Sequence, residues 1–509
     1  MIDLNALSGA ADLLLAGWQA WLVVPLGLII GIVFGMLPGL SVPIAMAVFL
    51  PMTLYMEFVP AILFLTSIFT GGGFGGAVPA ILMNVPGTTA AVATCFDGYP
   101  MARRGQHNEA LGIALAASTV GTAIGYILLL LLLEPISQAV LLLGPPELFM
   151  IALWGLTLIA ALSEGSFWRG VLVGCVGLLA GTIGMSSRGT MRGTFDSAYL
   201  LDGIPVVSAL IGLFAASELF VLIRSSYIVE DEAAREVRFS KLFAGFFLGL
   251  RNWPMILRGS LIGTSIGTVP GVGSTVANLV SYSIARNRDP DKESYGKGNP
   301  KGVVAAESAN SSSEGGSMAT LLALGLPGGA GTAIMLGAFA MHNVTGGPRF
   351  ISDHKDIVYA IIAGNLVQAV LLIGIGMVFL RLSLMIVKVP LRILIPTILA
   401  LTILGSYALS GNMTGPIAVV AGAIIGWFLK QNGFPVVALV IGLLLGGMAE
   451  GELLRSYQLG GSSLGIFLER PIALGILAVM MLSALWPHIA KRLFAPGRLP
   501  GTKERLSDV

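Results

Sequence analysis

The chain has 509 residues, of which 55% are hydrophobic and only 11% are charged, and its mean hydropathy is +0.87. A soluble globular protein carries about 25% charged residues, so this composition excludes an ordinary soluble domain and predicts a membrane protein. The net charge of +2 gives no reason to expect nucleic acid as a partner, and the two cysteines and four histidines lack metal-ligand spacing.

Apolar segments follow one another along the whole chain. They run over 20–37, 41–54, 57–70, 109–133, 136–162, 167–184, 203–223, 257–270, 273–285, 318–341, 357–380, 391–409, 416–429, 434–449 and 467–487. Since a spanning helix needs about 20 mainly apolar residues, we expect about 11 or 12 crossings in an all-α fold. The segments 41–54, 273–285 and 416–429 are shorter and are predicted to be half-helices or arms of re-entrant hairpins.

Charged residues are concentrated in three segments, 224–241, 286–302 and the tail from Lys491. Each of them contains several lysine or arginine residues, which predicts a cytoplasmic location. A few further basic residues stand beside apolar segments, and we expect their side chains to extend to the membrane interface. These are Arg169, Arg381, Lys388, Arg392 and Lys430.

Three sequence patterns occur twice, in the same order. "GIVFGMLPG" (31–39) matches "GTSIGTVPG" (263–271), "GGAVPAILMNVPG" (75–87) matches "GGSMATLLALGLPG" (315–328), and 109–121 matches 356–368. They predict two structural repeats. The expected divisions are an N-terminal segment 1–29, a first repeat 30–133, linking helices and a cytoplasmic loop 134–261, a second repeat 262–380, C-terminal helices 381–490 and a basic tail 491–509.

The basic loops occupy different positions in the two repeats. The second repeat has a basic loop at 286–302, whereas its counterpart in the first, 55–58, has no basic residue; the first instead carries Arg103 and Arg104. A positive loop that changes place predicts repeats of opposite orientation, which is typical of transporters.

Each repeat contains a break in an apolar run. Proline cannot continue a helix undisturbed, and a helix that starts afresh presents unpaired N–H groups and a positive dipole end, which bind anions. Paired breaks in corresponding halves predict a substrate site at the middle of the membrane; the alternative is a pair of kinked, packed helices. The candidate substrate-binding residues are Asn84, Pro86, Gly87, Thr88, Thr89, Pro327, Gly328 and Gly329.

Oxygen-bearing residues suggest a cation site nearby. Asn310, Ser311, Ser312, Ser313 and Glu314 offer ligands suited to a hard cation such as sodium. The alternative is that this stretch continues the soluble loop 286–302.

The repeated GxxxGxxPG pattern has two interpretations. Its glycines could mark close helix packing. Alternatively, the breaks that follow could complete cation sites, with candidate residues Pro38, Gly39, Ser41, Pro270, Gly271 and Ser274. "DGYP" (97–100) is typical of a turn. The chain has neither a phosphate-binding GxxxxGK[ST] loop nor HExxH, so we do not expect an enzyme.

The stretch "GGGFGGAVPAILMNVPGTTAAVATCFDGYPMARRGQHNEALGIALAASTVG" (71–121) resembles the large membrane subunit of the tripartite tricarboxylate transporters, the TctA family. The resemblance extends to "GLIIGIVFGMLPGLS", "GTVPGVGS", "AESANSSSEGGSMATLLALGLPG" and "HNVTGGPRF". It implies a multi-pass protein of the bacterial inner membrane that works with a small four-helix membrane subunit and a periplasmic solute-binding protein.

The resemblance also implies a function. Such proteins import di- and tricarboxylates or related organic anions by secondary transport, with sodium as the usual coupling ion and no cofactor. An organic-anion exporter or channel that needs no binding protein is the alternative.

Overall fold

The computed structural model describes residues 4–37, 41–84, 86–140, 142–162, 167–185, 190–217, 239–269, 273–386 and 391–493. Four of the residues proposed for cation binding lie outside these ranges: Pro38, Gly39, Pro270 and Gly271. Most of the charged segment 224–241 and the end of the basic tail also lie outside them.

Helices account for most of the first half of the described chain. They are α1 Leu4–Ala16, α2 Trp18–Met36, α3 Val42–Phe49, α4 Phe58–Gly75, α5 Ala77–Met83, α6 Val92–Arg103, α7 His107–Val140, α8 Pro145–Leu162, α9 Phe167–Gly181 and α10 Val206–Ile211, which continues as a π-helical turn, Gly212–Ala216. Short 3₁₀ turns follow α3 at Leu50–Tyr55 and precede α6 at Thr89–Ala91.

The second half of the described chain is also mostly helical. Its helices are α11 Phe239–Arg251, α12 Trp253–Gly267, α13 Gly273–Arg288, α14 Pro300–Leu324, α15 Ala330–Met341, α16 Pro348–Asp353, α17 Lys355–Ile386, α18 Leu391–Ser410, α19 Thr414–Gln431, α20 Val436–Leu459, α21 Ile466–Glu469 and α22 Pro471–Leu493.

The described chain is almost entirely helical, which confirms the expected all-α, polytopic membrane fold. Its one sheet is a two-stranded antiparallel pair, β1 Gly184–Met185 and β2 Met191–Arg192. Among the residues that the structure describes, five helices are long and apolar enough to cross a membrane: Phe58–Leu82, His107–Leu132, Lys355–Leu380, Thr414–Gln431 and Val436–Leu459. The bent pair α1–α2 makes a sixth if it counts as one span. A total of about 11 or 12 crossings stays a prediction.

The repeated GxxxG glycines lie at two equivalent helix contacts. In the first repeat α2 packs on α4, and a Cβ added to Gly31 would lie 2.2 Å from the Ile68 carbonyl oxygen. In the second, α12 packs on α14, and a Cβ on Gly267 would lie 2.2 Å from the Ser313 carbonyl oxygen. Glycine is therefore needed here so that the backbones can touch. The inverted orientation and the domain boundaries stay predictions.

Both breaks begin with a residue in the left-handed conformation. Helix α5 ends at Asn84, with φ 57°, and α14 ends at Gly325, with φ 65°. Glycine and asparagine are the residues that adopt this conformation most readily. The two copies therefore differ in sequence at this position while keeping the same backbone.

The predicted turn at 97–100 is wrong, because these residues lie inside α6. The Asp97 carboxylate does not cap a local turn. It accepts hydrogen bonds of 2.8 Å from the backbone N–H groups of Gly298 and Asn299, and one of 2.9 Å from the Tyr282 hydroxyl. Partners about 200 residues away outweigh the local preference of Asp and Gly for a bend.

Candidate functional site

Both breaks line a single cavity of about 670 Å³. This volume is typical of a small-molecule site. The cavity gathers predicted residues from five separate parts of the chain: Ser41, Pro86, Gly87, Thr88, Thr89, Ser274, Asn310, Ser311, Glu314 and Gly329.

The first break forms one wall of the cavity. The N–H of Gly87 donates to the Gly76 carbonyl oxygen at 3.1 Å, and a Cβ on Gly87 would lie 2.1 Å from the Gly35 carbonyl oxygen. The next residue, Thr88, is buried, and its hydroxyl has no hydrogen-bond partner among the described residues. A buried hydroxyl without a partner is costly, so this oxygen is free to bind a ligand.

The second threonine of this break joins the two repeats. Thr89 is exposed to the cavity, and its hydroxyl oxygen accepts a 3.0 Å hydrogen bond from Thr275, near the start of α13. The N–H of Ala93 at the start of α6 donates to the Asn278 side chain at 2.9 Å. The second repeat therefore holds the tip of the first.

The second break presents the start of α15 to the same cavity. Gly329, Ala330 and Gly331 line it. The N–H of Gly329 donates to the Thr332 hydroxyl at 3.0 Å, which fixes the first turn of the helix. The first N–H groups of a helix have no partner within it and carry its positive dipole end, so this wall suits an anion.

A carboxylate lies in the wall between the two breaks. Glu314 on α14 accepts a hydrogen bond from the Thr70 hydroxyl that is shared between its two oxygens, at 2.7 and 2.8 Å, and one of 3.0 Å from Tyr126. Gln368 in turn donates to the Thr70 oxygen at 2.7 Å. Within the described ranges, no basic side chain forms an ion pair with Glu314.

The stretch 307–317 is a buried part of α14 and not a continuation of the soluble loop. Asn310 and Ser311 line the cavity. Ser312 and Ser313 instead donate to carbonyl oxygens of their own helix, at 3.4 and 2.6 Å.

Three residues proposed for substrate binding are not among those that line the cavity. Asn84 is exposed elsewhere and serves as the left-handed end of α5. Pro327 and Gly328 precede the lining residues, and a Cβ on Gly328 would lie 2.8 Å from the Ser317 Cα. For these three residues the described geometry gives a backbone role.

The sequence missed Lys430 as a cavity residue. We expected its side chain to extend to the membrane interface, but it lies in the cavity wall, and its ammonium group donates to the Ser217 hydroxyl at 2.9 Å. In the sequence, a lysine that extends to the membrane interface cannot be distinguished from one that lines a cavity, because both stand at the end of an apolar segment. Only the packing of α19 against the π-helical turn after α10 distinguishes them.

Comparison with known proteins identifies the family of the chain. A relative from Agrobacterium vitis, described as an uncharacterized 52.8 kDa protein in the TAR-I ttuC' 3'region, is 31% identical over 474 residues, which cover 92% of this chain and 93% of that protein. A second, from the TAR-II ttuC' 3'region, is 30% identical over 233 residues, which cover 45% of this chain and 96% of the relative. No solved structure matches. The profile of the tripartite tricarboxylate transporter TctA family matches residues 21–441, and the chain therefore belongs to that family.

Proposed function

We propose that this transporter subunit imports di- or tricarboxylates, or related organic anions, by sodium-coupled secondary transport. A periplasmic binding protein delivers the anion, and a small four-helix subunit completes the assembly in the bacterial inner membrane. The observation that carries the proposal is that both helix breaks and Glu314 line one cavity.

In this proposal the anion lies between the two breaks. One carboxylate accepts hydrogen bonds from the Thr88 and Thr89 hydroxyls, and the first turn of α15 offers N–H groups and a positive dipole end to a second carboxylate. Lys430 adds a positive charge to the cavity wall. Each of these contributions is stronger away from bulk water, which suits a ligand with two or more negative charges.

The cation lies beside Glu314 in this proposal. The carboxylate and the neighbouring oxygens of Asn310, Ser311, Ser41 and Ser274 offer the ligands that a hard cation prefers. An unpaired carboxylate would repel an anionic substrate in the same cavity. Sodium bound at Glu314 removes that repulsion, so each ion strengthens the binding of the other by the same factor.

The direct test removes the two hydroxyls at the first break. Proteoliposomes that contain the chain, its small subunit and its binding protein are given an inward sodium gradient and labelled citrate or four-carbon dicarboxylates. For Thr88→Val combined with Thr89→Val, we expect at least about a hundredfold loss of kcat/KM, because two hydrogen bonds to a charged group are lost and each is worth about 1.5 to 3 kcal/mol.

The matched control is Thr157→Val in α8. Its hydroxyl donates at 2.8 Å to the Leu153 carbonyl of its own helix, away from the cavity. This variant should transport like wild type. Wild-type uptake by the double variant would contradict the proposed anion site. Uptake that needs neither sodium nor the binding protein would favour the exporter or channel.

A further inference from the structure

A second carboxylate lies deeper in the molecule, on the same helix as Glu314. Glu307 is fully buried in α14. It accepts a hydrogen bond from the Thr94 hydroxyl on α6 and another, 3.1 Å long, from the Ser118 hydroxyl on α7. No basic side chain of the described residues pairs with it.

Both carboxylates of α14 accept hydrogen bonds from side chains of the neighbouring helix α7. Ser118 contacts Glu307, Tyr126 contacts Glu314, and between them a Cβ on Gly125 would meet the α14 backbone at 2.7 Å. Because the residue numbers of the contacting pairs rise together along both helices, α7 and α14 run parallel. The carboxylates are two turns apart, about 10 Å along the helix.

An unsatisfied hydroxyl lies between these two contacts. Thr122 is one turn beyond Ser118 and one turn before Tyr126, so it belongs to the stripe of α7 that faces α14. It is fully buried, and its hydroxyl has no hydrogen-bond partner in the described part of the chain. The Cα–Cβ bonds of a helix tilt toward its start, and for Thr122 this is the direction in which Ser118 and its partner Glu307 lie.

We propose that Glu307 is the centre of a second sodium site, with the hydroxyl oxygens of Thr94, Ser118 and Thr122 as its other ligands. This inference rests on the sodium coupling proposed above. An ionised carboxylate buried in a membrane protein without a cationic partner is costly, and a bound sodium ion removes that cost. The hydroxyl that lacks a partner supplies the extra oxygen that a cation needs.

The site would connect ion binding to the substrate cavity. Thr94 lies near the start of α6, directly after the segment that carries Thr88 and Thr89. A cation held jointly by α6, α7 and α14 fixes that segment against the second repeat. Filling the Glu307 site therefore orders the first break for the anion.

The test measures equilibrium binding of radioactive sodium to the purified full-length chain in sodium-free choline buffer, which requires no knowledge of the substrate. Wild type should bind two ions per chain. Glu307→Gln and Glu314→Gln should each bind one, and the double variant none. Thr122→Val keeps the shape of the side chain but removes one proposed coordinating oxygen, and it should weaken one of the two sites by about tenfold or more, whereas Thr157→Val should leave both unchanged.

The possible failures are distinguishable. If wild type binds no sodium, the proposed sodium coupling itself is overturned. If wild type binds one ion, and only Glu314→Gln removes it, the coupling stands and the second site is overturned. If Glu307→Gln does not fold, unchanged binding in Thr122→Val overturns the ligand set.

Discussion

The two helix breaks have the same backbone and different chemistry. Each starts with a left-handed residue, Asn84 or Gly325, and continues through Pro-Gly into a new helical segment at the cavity. The first break then offers Thr88 and Thr89, whereas the second offers only glycine and alanine. The comparison teaches that the two breaks share a backbone shape, while only the first places threonine hydroxyls in the cavity wall, where we propose that they bind the ligand.

The largest expected difference concerns the two Pro-Gly glycines. For Gly87→Ala the new Cβ would lie 2.1 Å from the Gly35 carbonyl oxygen, so we expect a loss of stability of about 3 kcal/mol, at the upper end for overpacking. For Gly328→Ala the contact is with Ser317, at 2.7 Å or more, and we expect about 1 to 2 kcal/mol.

Thermal unfolding in detergent measures both effects. Gly374→Ala in α17 is the control, because nothing lies within 4 Å of a Cβ there. Equal loss in the two Pro-Gly variants would mean that the breaks are packed alike.

The second difference separates ligand contact from helix capping. Thr88→Val should raise KM by about tenfold, since it removes a hydroxyl that we propose binds the charged ligand. Thr332→Val removes the cap of α15 and should cost about 1 kcal/mol of stability with little change in KM. Transport kinetics give KM and thermal unfolding gives stability, and both are measured on both variants to separate ligand contact from helix capping. An unchanged KM for Thr88→Val would contradict the proposal that the first break, unlike the second, contacts the ligand through its side chains.

The third difference tests whether Asn84 acts through its backbone. Asn84→Gly should transport like wild type, because glycine stands at the same place in the second break. Asn84→Ala should lose about 1 kcal/mol of stability, because the left-handed conformation is less favourable by about that amount for alanine than for asparagine or glycine. If Asn84→Gly folds normally but loses substrate affinity, the side chain itself binds the ligand, as the sequence first suggested.

The smallest effect concerns the loops that lead into the two hairpins. Before α14, Asp289 accepts a 2.8 Å hydrogen bond from Lys301, whose ammonium lowers the pKa of this carboxyl below its ordinary value; the loop before α4 has no such pair. Because the folded pKa is lowered, the stabilisation is complete above about pH 4 and is lost as the pH falls through the folded value.

Asp289→Asn should therefore unfold slightly earlier than wild type at neutral pH, and the two should converge in strong acid. Convergence on raising the pH instead would contradict the assigned direction of the shift.

Local sequence was sufficient for the fold class and for much of the site. The low charge and the apolar segments predicted a helical membrane protein, and Pro-Gly at corresponding places predicted both breaks, because proline and glycine act on the backbone at their own position. The GxxxG glycines likewise predicted close helix contacts, which their short distances to neighbouring carbonyls explain.

The remaining features depend on partners far away in the chain. Lys430 lines the cavity only because α19 packs beside the π-helical turn. Asp97 lies in a helix because loop residues near 298 bind its carboxylate. Glu307 is buried because α6 and α7 cover it. None of these contacts has a signal within a short window of sequence.

The central claim is that the two breaks form one anion site, and cysteine protection tests it most directly. Thr89→Cys and Ala330→Cys are made on a Cys175→Ser background, with Ser283→Cys as an exposed control away from the cavity. The rate at which a charged thiol reagent labels each cysteine is measured with sodium present and with increasing concentrations of citrate or a four-carbon dicarboxylate. The account predicts that one of these anions protects both break positions and leaves the control unaffected. The half-maximal concentration should be higher for Thr89→Cys than for Ala330→Cys, because Thr89→Cys lacks one of the two hydroxyls proposed to bind the anion. Protection at one break but not the other would contradict the account.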